Sequence, residues 1–227
     1  MGTNMKNKIH VEHLCKTYGT KENKTIALHD VTLEIKENEF VAICGTSGSG
    51  KTTLFNIISG IDRNYEGNCF IDDTNISTLN EEQMTIKRRK EIGIIFQFFN
   101  LISFLTVEEN IKLTSQLDGI EPDADKVSII LKQLDLEEKR NAFIHELSGG
   151  QQQRIAIARV MAADCDIILA DEPTGNLDSH NTQNIIDIFK QMKEQGKTIV
   201  LITHDTYVAQ QADRIIYLKD GEIANEL

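Results

Sequence analysis

The segment Gly45-Thr46-Ser47-Gly48-Ser49-Gly50-Lys51-Thr52 constrains this chain more than any other. It fits the spacing G-x-x-x-x-G-K-[ST], and each residue type has a mechanical reason to be there. Glycines let backbone N–H groups curl around an anion that side chains would hold off. A helix that begins at the lysine turns its positive end toward the same point. In this motif Lys51 reaches the β- and γ-phosphates of a nucleotide, and the Thr52 hydroxyl ligates Mg²⁺. A chance match in a chain of this length is on the order of one in a hundred at ordinary glycine usage. The motif needs a strand before it and a helix after it. Phe40-Val41-Ala42-Ile43 is a short continuous apolar run, the pattern of a strand buried on both faces. Residues 51–59 read as an amphipathic helix, so the chain is predicted to be α/β.

The remaining pattern supplies the sheet. Val31, Leu33 and Ile35 alternate as a half-buried strand, and another begins near Ile9, so the first 36 residues read as β. Residues 106–117 and 124–134 read as helices. Residues 148–163 read as a third, with Ile155, Ala158, Arg159 and Ala162 at helical spacing. Strands and helices then alternate over 167–170, 181–195, 198–202, 207–211 and 214–218. Such alternation implies a mainly parallel sheet with helices on both faces. With only Pro122 and Pro173 and no Gly/Ser-rich linker, residues 1–227 read as one domain, with a helical subdomain inserted at roughly 98–160.

Charge excludes one class of partner. Thirty-five acidic and 24 basic residues leave a net charge of −11, whereas a nucleic-acid binder needs excess Lys and Arg to displace counterions from phosphates. No nucleic-acid partner is expected. No run of 18 apolar residues is present, so no membrane span is expected. The N-terminal MGTNMKNK lacks the apolar centre of a secretion signal, and Lys6 stands where a myristoylation signal needs Ser or Thr. Cys15, Cys44, Cys69 and Cys165 form no C-x-x-C pair and are expected as reduced, buried thiols. His10 and His13 show no metal-site pattern.

Two further segments carry chemistry. Residues 166–172, Asp-Ile-Ile-Leu-Ala-Asp-Glu, read as an apolar strand ending in two acids. Ligands of parallel sheets gather at the carboxyl ends of strands, which brings these acids beside the glycine loop. Asp171 is then placed to hold Mg²⁺ through water. Glu172 is placed to polarise a water for in-line attack on a γ-phosphate. In Leu147-Ser148-Gly149-Gly150-Gln151-Gln152-Gln153-Arg154, Ser148 is a natural N-cap and the two glycines permit close approach of an anion. A plain helix cap and a second phosphate-binding helix start both fit that pattern.

With LSGGQ and the glycine loop in this order, the chain resembles the ATPase subunits of ATP-binding cassette (ABC) proteins over essentially its whole length. The resemblance implies a phosphate-loop ATPase with a mainly parallel sheet core, an N-terminal antiparallel β region and the inserted helical subdomain. It implies that ATP is held by Gly45 to Thr52 together with Thr53, and that Tyr18 stacks on adenine. Gln97 matches the glutamine that contacts Mg²⁺ and water and senses a transport partner. His204 matches a switch histidine near the γ-phosphate, and Asn176-Leu177-Asp178 matches a loop that crosses between subunits. Lys51, Gln97, Glu172 and His204 form the implied catalytic set, and Thr52, Gln97 and Asp171 the metal set. Ser148, Gly149, Gly150 and Gln151 of one subunit would close over ATP held by another. That implies a head-to-tail homodimer with two composite sites. Integral membrane permease subunits are the implied partners, which puts the chain at the cytoplasmic face of the membrane.

Residues 171–178 and LSGGQQQR resemble the macrolide-exporter, lipoprotein-releasing and cell-division group. Export and wall remodelling without cargo are both open on these residues. Thr46 replaces the usual Pro or Ala, and Gly60-Ile61-Asp62-Arg63 lacks the proline common soon after it. No N-K-x-D guanine motif occurs, and neither a long coiled-coil insertion nor a second cassette is present. Phe96, Phe98, Phe99 and Phe104 are four of the nine phenylalanines. The last three follow the end of a strand, either packed inside the helical subdomain or forming a patch that receives a short helix from a membrane partner. Lys87 to Lys90 read as a solvated helix end, with a membrane-facing role also open. Between Arg159 and Lys190 lie six acids and no Lys or Arg, a charge suited to basic cytoplasmic loops.

Overall fold

The computed structural model describes residues 6–20, 23–175 and 177–226. Asn176, the first residue of the expected crossing loop, lies outside the described residues, as do residues 1–5 of the N-terminal segment.

Two sheets organise the chain. In the antiparallel sheet, β1 (Asn7–Tyr18) lies between β2 (Thr25–Lys36) and β4 (Glu66–Ile71), and β5 (Thr74–Asn75) pairs with β4. The other sheet has the order β10-β9-β3-β8-β7-β6. Here β6 (Ile92–Ile95), β7 (Ile167–Asp171), β8 (Thr198–Thr203), β3 (Phe40–Cys44) and β9 (Arg214–Lys219) are parallel, and β10 (Glu222–Ala224) turns back antiparallel at the edge.

The parallel strands supply cores on both faces of the sheet. Val41, Ile43, Ile167, Leu169, Val200 and Ile202 face a core shared with the antiparallel sheet and helix α1 (Lys51–Ile58). Phe40, Ile168, Ala170, Ile199 and Leu201 face the opposite core. That second core is closed by α3 (Val107–Leu117), α4 (Ala124–Gln133), α5 (Gly149–Ala163) and α6 (Ser179–Glu194). Two-sided burial is why β3 and β8 read as unbroken apolar runs. Each fully buried aliphatic side chain contributes about 1.5–3 kcal/mol.

Two helices follow other rules. In α2 (Glu81–Glu91) Met84 is the one buried residue, and the helix starts at an Asn80–Gln83 capping box. Arg88, Arg89 and Lys90 fall in its last turn, where positive charge complements the helix dipole. The short α7 (Thr206–Ala209) is capped by Asp205. Of the four cysteines, Cys44, Cys69 and Cys165 are buried as expected and Cys15 is half-buried. It sits where the β1–β2 register shifts, and its Sγ accepts the Asp30 N–H at 3.2 Å. Among the described residues no helix is long and apolar enough to cross a membrane.

Candidate nucleotide site

The chain leaves β3 at Cys44 and forms the glycine loop. Gly50, at φ 102°, caps α1 with no side-chain hydrogen bond. The first N–H groups of the helix are therefore directed into the loop with no capping side chain. A Cβ at Gly50 would lie 2.4 Å from the Ala27 carbonyl oxygen, so close packing and backbone conformation both demand glycine there. Lys51 is buried, and its Nζ donates to the carbonyls of Gly45 and Thr46 at 2.8 and 2.9 Å. Ser49 is also buried, and its Oγ has no partner among the described residues.

Neighbouring strands deliver the acids. β7 ends at Asp171, and Glu172 follows at φ 46°, a left-handed conformation that costs a residue with a side chain about 1–3 kcal/mol. The Glu172 N–H donates to the Ile202 carbonyl at 2.9 Å, which ties the turn to β8. The glutamate is mostly buried. Its Oε1 lies 2.7 Å from His204 Nδ1, and its Oε2 accepts the Thr203 hydroxyl at 3.4 Å. Burial, reinforced by the charge of Glu172 and opposed by Lys51, pushes the Asp171 carboxyl up to about 6. After β6, Phe96 packs edge-on against Phe55 of α1 with ring centroids 6.1 Å apart, and Gln97 follows it.

These side chains surround one cavity of about 580 Å³. Its wall is the loop from Gly45 to Gly48 with Lys51 and Thr52 on one side, and Gln97, Asp171, Glu172 and His204 on the other. Ser49, Gly50 and Thr53 shape the loop and helix without lining the cavity. Tyr18 lies apart from this lining, 42% exposed, with its hydroxyl donating to Asp62 and the Lys16 ammonium 4.7 Å from its ring centre.

Ser148, Gly149, Gly150 and Gln151 are also outside the cavity. Ser148 and Gln151 form a reciprocal capping box at the start of α5, so the plain helix cap is real. No close contact among the described residues requires either glycine. A Cβ at Gly149 would come no closer than 3.9 Å to Phe99 Cζ, and at Gly150 no closer than 3.5 Å to Asn181. Asp178 N-caps α6 by accepting the Asn181 N–H at 2.8 Å, a role the sequence reading missed although Asp before a polar helix start signals it. Thr203 was missed too, and no sequence signal marks its contact with Glu172.

A glycine loop facing two acids, a glutamine and a histidine at the ends of parallel strands defines a phosphate-loop nucleotide-binding protein. Comparison with known proteins narrows the class. A family profile described as ABC transporter matches residues 28–175. The uncharacterised ABC transporter ATP-binding protein MJ0796 of Methanocaldococcus jannaschii is 46% identical over 226 residues, covering 96% of each chain. The macrolide export ATP-binding/permease protein MacB of Aggregatibacter actinomycetemcomitans is 42% identical over 97% of this chain, which spans 34% of that longer protein. A solved dimeric structure of the MJ0796 cassette superposes with a TM-score of 0.89 at 44% identity, covering 96% of this chain and 97% of that one. A second, described as a post-hydrolysis state bound to ADP and Pi, gives the same TM-score at 43% identity and the same coverage. The chain belongs to the ABC transporter family, as an ATP-binding ATPase cassette.

Proposed function

We propose that this chain binds Mg-ATP in the 580 Å³ cavity and hydrolyses it as half of a head-to-tail homodimer, driving shape changes in separate integral membrane permease subunits. The observation that carries the reading is the convergence of Lys51, Thr52, Gln97, Asp171, Glu172 and His204 on that cavity. Glu172 accepts a proton from the attacking water, and His204 orients its carboxylate. The water oxygen bonds to the γ-phosphorus as the bond to the ADP oxygen breaks, and Lys51 offsets charge on the phosphates. Thr52, Gln97 and Asp171 offer oxygen donors, the set a hard cation takes, and Asp171 is a desolvated carboxyl that a cation suits. Mg²⁺ bound there would neutralise charge on the β- and γ-phosphate oxygens. Tyr18 stacks on the adenine, and Thr53 and Ser49 complete the loop that holds the phosphates.

The spacious Gly149 and Gly150 support the dimer. Two glycines in the first turn of a helix are unfavourable unless something approaches closely, and among the described residues nothing comes closer than 3.5 Å. The γ-phosphate of a nucleotide on the second copy is the proposed occupant, with Ser148 and Gln151 beside it. MacB-type relatives join a cassette to a permease in one protein, which supports export and a permease partner. That partner would hold the chain at the cytoplasmic face of the membrane, with residues 98–160 as the subdomain that meets it.

Glu172→Gln tests the reading. The variant should bind ATP, lose turnover by about 10²–10⁴-fold, and run as a dimer with ATP in size-exclusion chromatography. A monomeric variant with wild-type turnover would overturn it.

A further inference from the structure

The loop between β6 and α3 leaves the nucleotide cavity at Gln97 and is gripped soon afterwards by two side chains. Asn110 of α3, fully buried, accepts the Ile102 N–H at 2.8 Å and donates to the carbonyls of Ile102, Leu105 and Thr106. That network satisfies loop groups which burial would otherwise leave unpaired.

Arg159 of α5 is a different kind of anchor. Its Nη1 donates to the Asn100 carbonyl at 2.8 Å and its Nη2 to the Phe99 carbonyl at 3.4 Å. Burial lowers its pKa, and among the described residues no carboxylate pairs with it. Removing a guanidinium from water without a counter-ion is unfavourable, and a structural contact alone could be made by a neutral side chain. The planar fork is what lysine or glutamine cannot reproduce. Asn100 itself adopts φ 49°, the left-handed turn that leads into the gripped segment. The first gripped carbonyl, Phe99, lies two residues beyond Gln97, and Phe98 between them is 77% exposed. The position of Gln97 in the cavity is therefore set from one side by β6 and from the other by Arg159.

We propose that Arg159 is a positioning residue for hydrolysis: by holding the Phe99 and Asn100 carbonyls it fixes the direction in which Gln97 enters the nucleotide cavity. The proposal rests on the reading of Gln97 as a group that contacts water and Mg²⁺ in the reaction.

A double-mutant cycle on the purified full chain tests it, with kcat, KM and ATP-analogue affinity measured for Arg159→Gln, Arg159→Lys, Gln97→Ala and the double variants. Arg159→Gln should lower kcat about tenfold where Gln97 is present and less than about twofold where it is Ala, the scale of coupling expected for residues acting as a unit. KM and analogue affinity should stay within about twofold, and Arg159→Lys, which keeps one donor on the carbonyls, should fall between wild type and Arg159→Gln. Equal losses in both backgrounds would overturn the proposal. So would loss of analogue binding by both Arg159 variants, since the residue would then serve folding alone. If Gln97→Ala by itself leaves kcat unchanged, the reading of Gln97 fails first. A loss on Gln97→Ala with additive Arg159 effects removes only the role given to Arg159.

Discussion

His204 Nδ1 and Glu172 Oε1 lie 2.7 Å apart although 32 residues separate them in the chain. The contact exists because β7 and β8 are adjacent and parallel, with Asp171 opposite Ile202, so both residues emerge from the same end of the sheet. The histidine is well exposed and the glutamate is not. The histidine holds one carboxylate oxygen from the solvent side, and the other accepts the Thr203 hydroxyl at 3.4 Å.

His204→Ala should therefore lower kcat by about 10²-fold, the scale of a misoriented general base, with nucleotide affinity nearly unchanged. Steady-state turnover beside equilibrium binding of an ATP analogue separates the two quantities. In the Glu172→Gln background the same change should add little. A full additional loss there would show that His204 acts independently of the glutamate.

Gly149→Ala should stabilise the isolated chain and damage its assembly. The new methyl meets nothing closer than 3.9 Å, and replacing glycine in a helix contributes about 0.5–1 kcal/mol, or about 1–4 °C in Tm for a chain of this size. If the second copy's nucleotide sits against this turn, ATP-dependent dimerisation in the Glu172→Gln background should be lost. Thermal melting and size-exclusion chromatography on the same samples check both halves. Unimpaired dimers would place the second nucleotide elsewhere.

Asp171 makes the nucleotide-free, metal-free chain sensitive to pH. Its carboxyl is raised from 3.8 to about 6, first by burial and then by Glu172. An unfolded aspartate ionises near 4, so the charged form is favoured by unfolding. The stability this group contributes is full below about pH 4 and is lost as pH rises through about 6. In EDTA, Asp171→Asn should melt above wild type at pH 7.5, and the gap should close by pH 4.5. A gap independent of pH would assign it to something other than ionisation. The variant should also lose ATP turnover.

Phe98, at 77% exposure beside a cavity-lining glutamine, is a candidate contact for a permease. Phe98→Ala should keep basal turnover within about twofold, as exposed substitutions leave folding nearly unchanged. Transport in proteoliposomes carrying the permease should fall. Phe99 is half-buried, near Gly149, so Phe99→Ala should also lower Tm. Normal transport by both variants would remove this face from the interface.

Much of the fold was legible because the parallel strands advertise themselves. β3 and β8, buried on both faces, are unbroken apolar runs, and the glycine loop fixes what must flank it. The antiparallel strand β4 was not legible. Cys69 and Ile71 are its buried residues, and Gly67 and Asn68 interrupt the alternation. The first half of α2 escaped a periodicity search for a similar reason, since Met84 alone is buried and only the basic run at Lys87 to Lys90 marks a helix end. Its capping box, Asn80 with Gln83, was present in the sequence and would have marked the start. At the site, the acids lie beside the glycine loop because strand ends in a parallel sheet converge. The Arg159 grip was not foreseen: Arg159 reads as one more residue at helical spacing, and its partners are backbone carbonyls 59 and 60 residues away.

The backbone of Glu172 has a bearing on how such a chain can be improved. At φ 46° it occupies the region glycine adopts freely, so Glu172→Gly relaxes the turn while deleting the carboxylate. A laboratory selection for heat tolerance alone would enrich that substitution and recover well-folded, inert protein. Any directed evolution of this cassette must therefore score turnover in every round, because at this position robustness and chemistry pull in opposite directions.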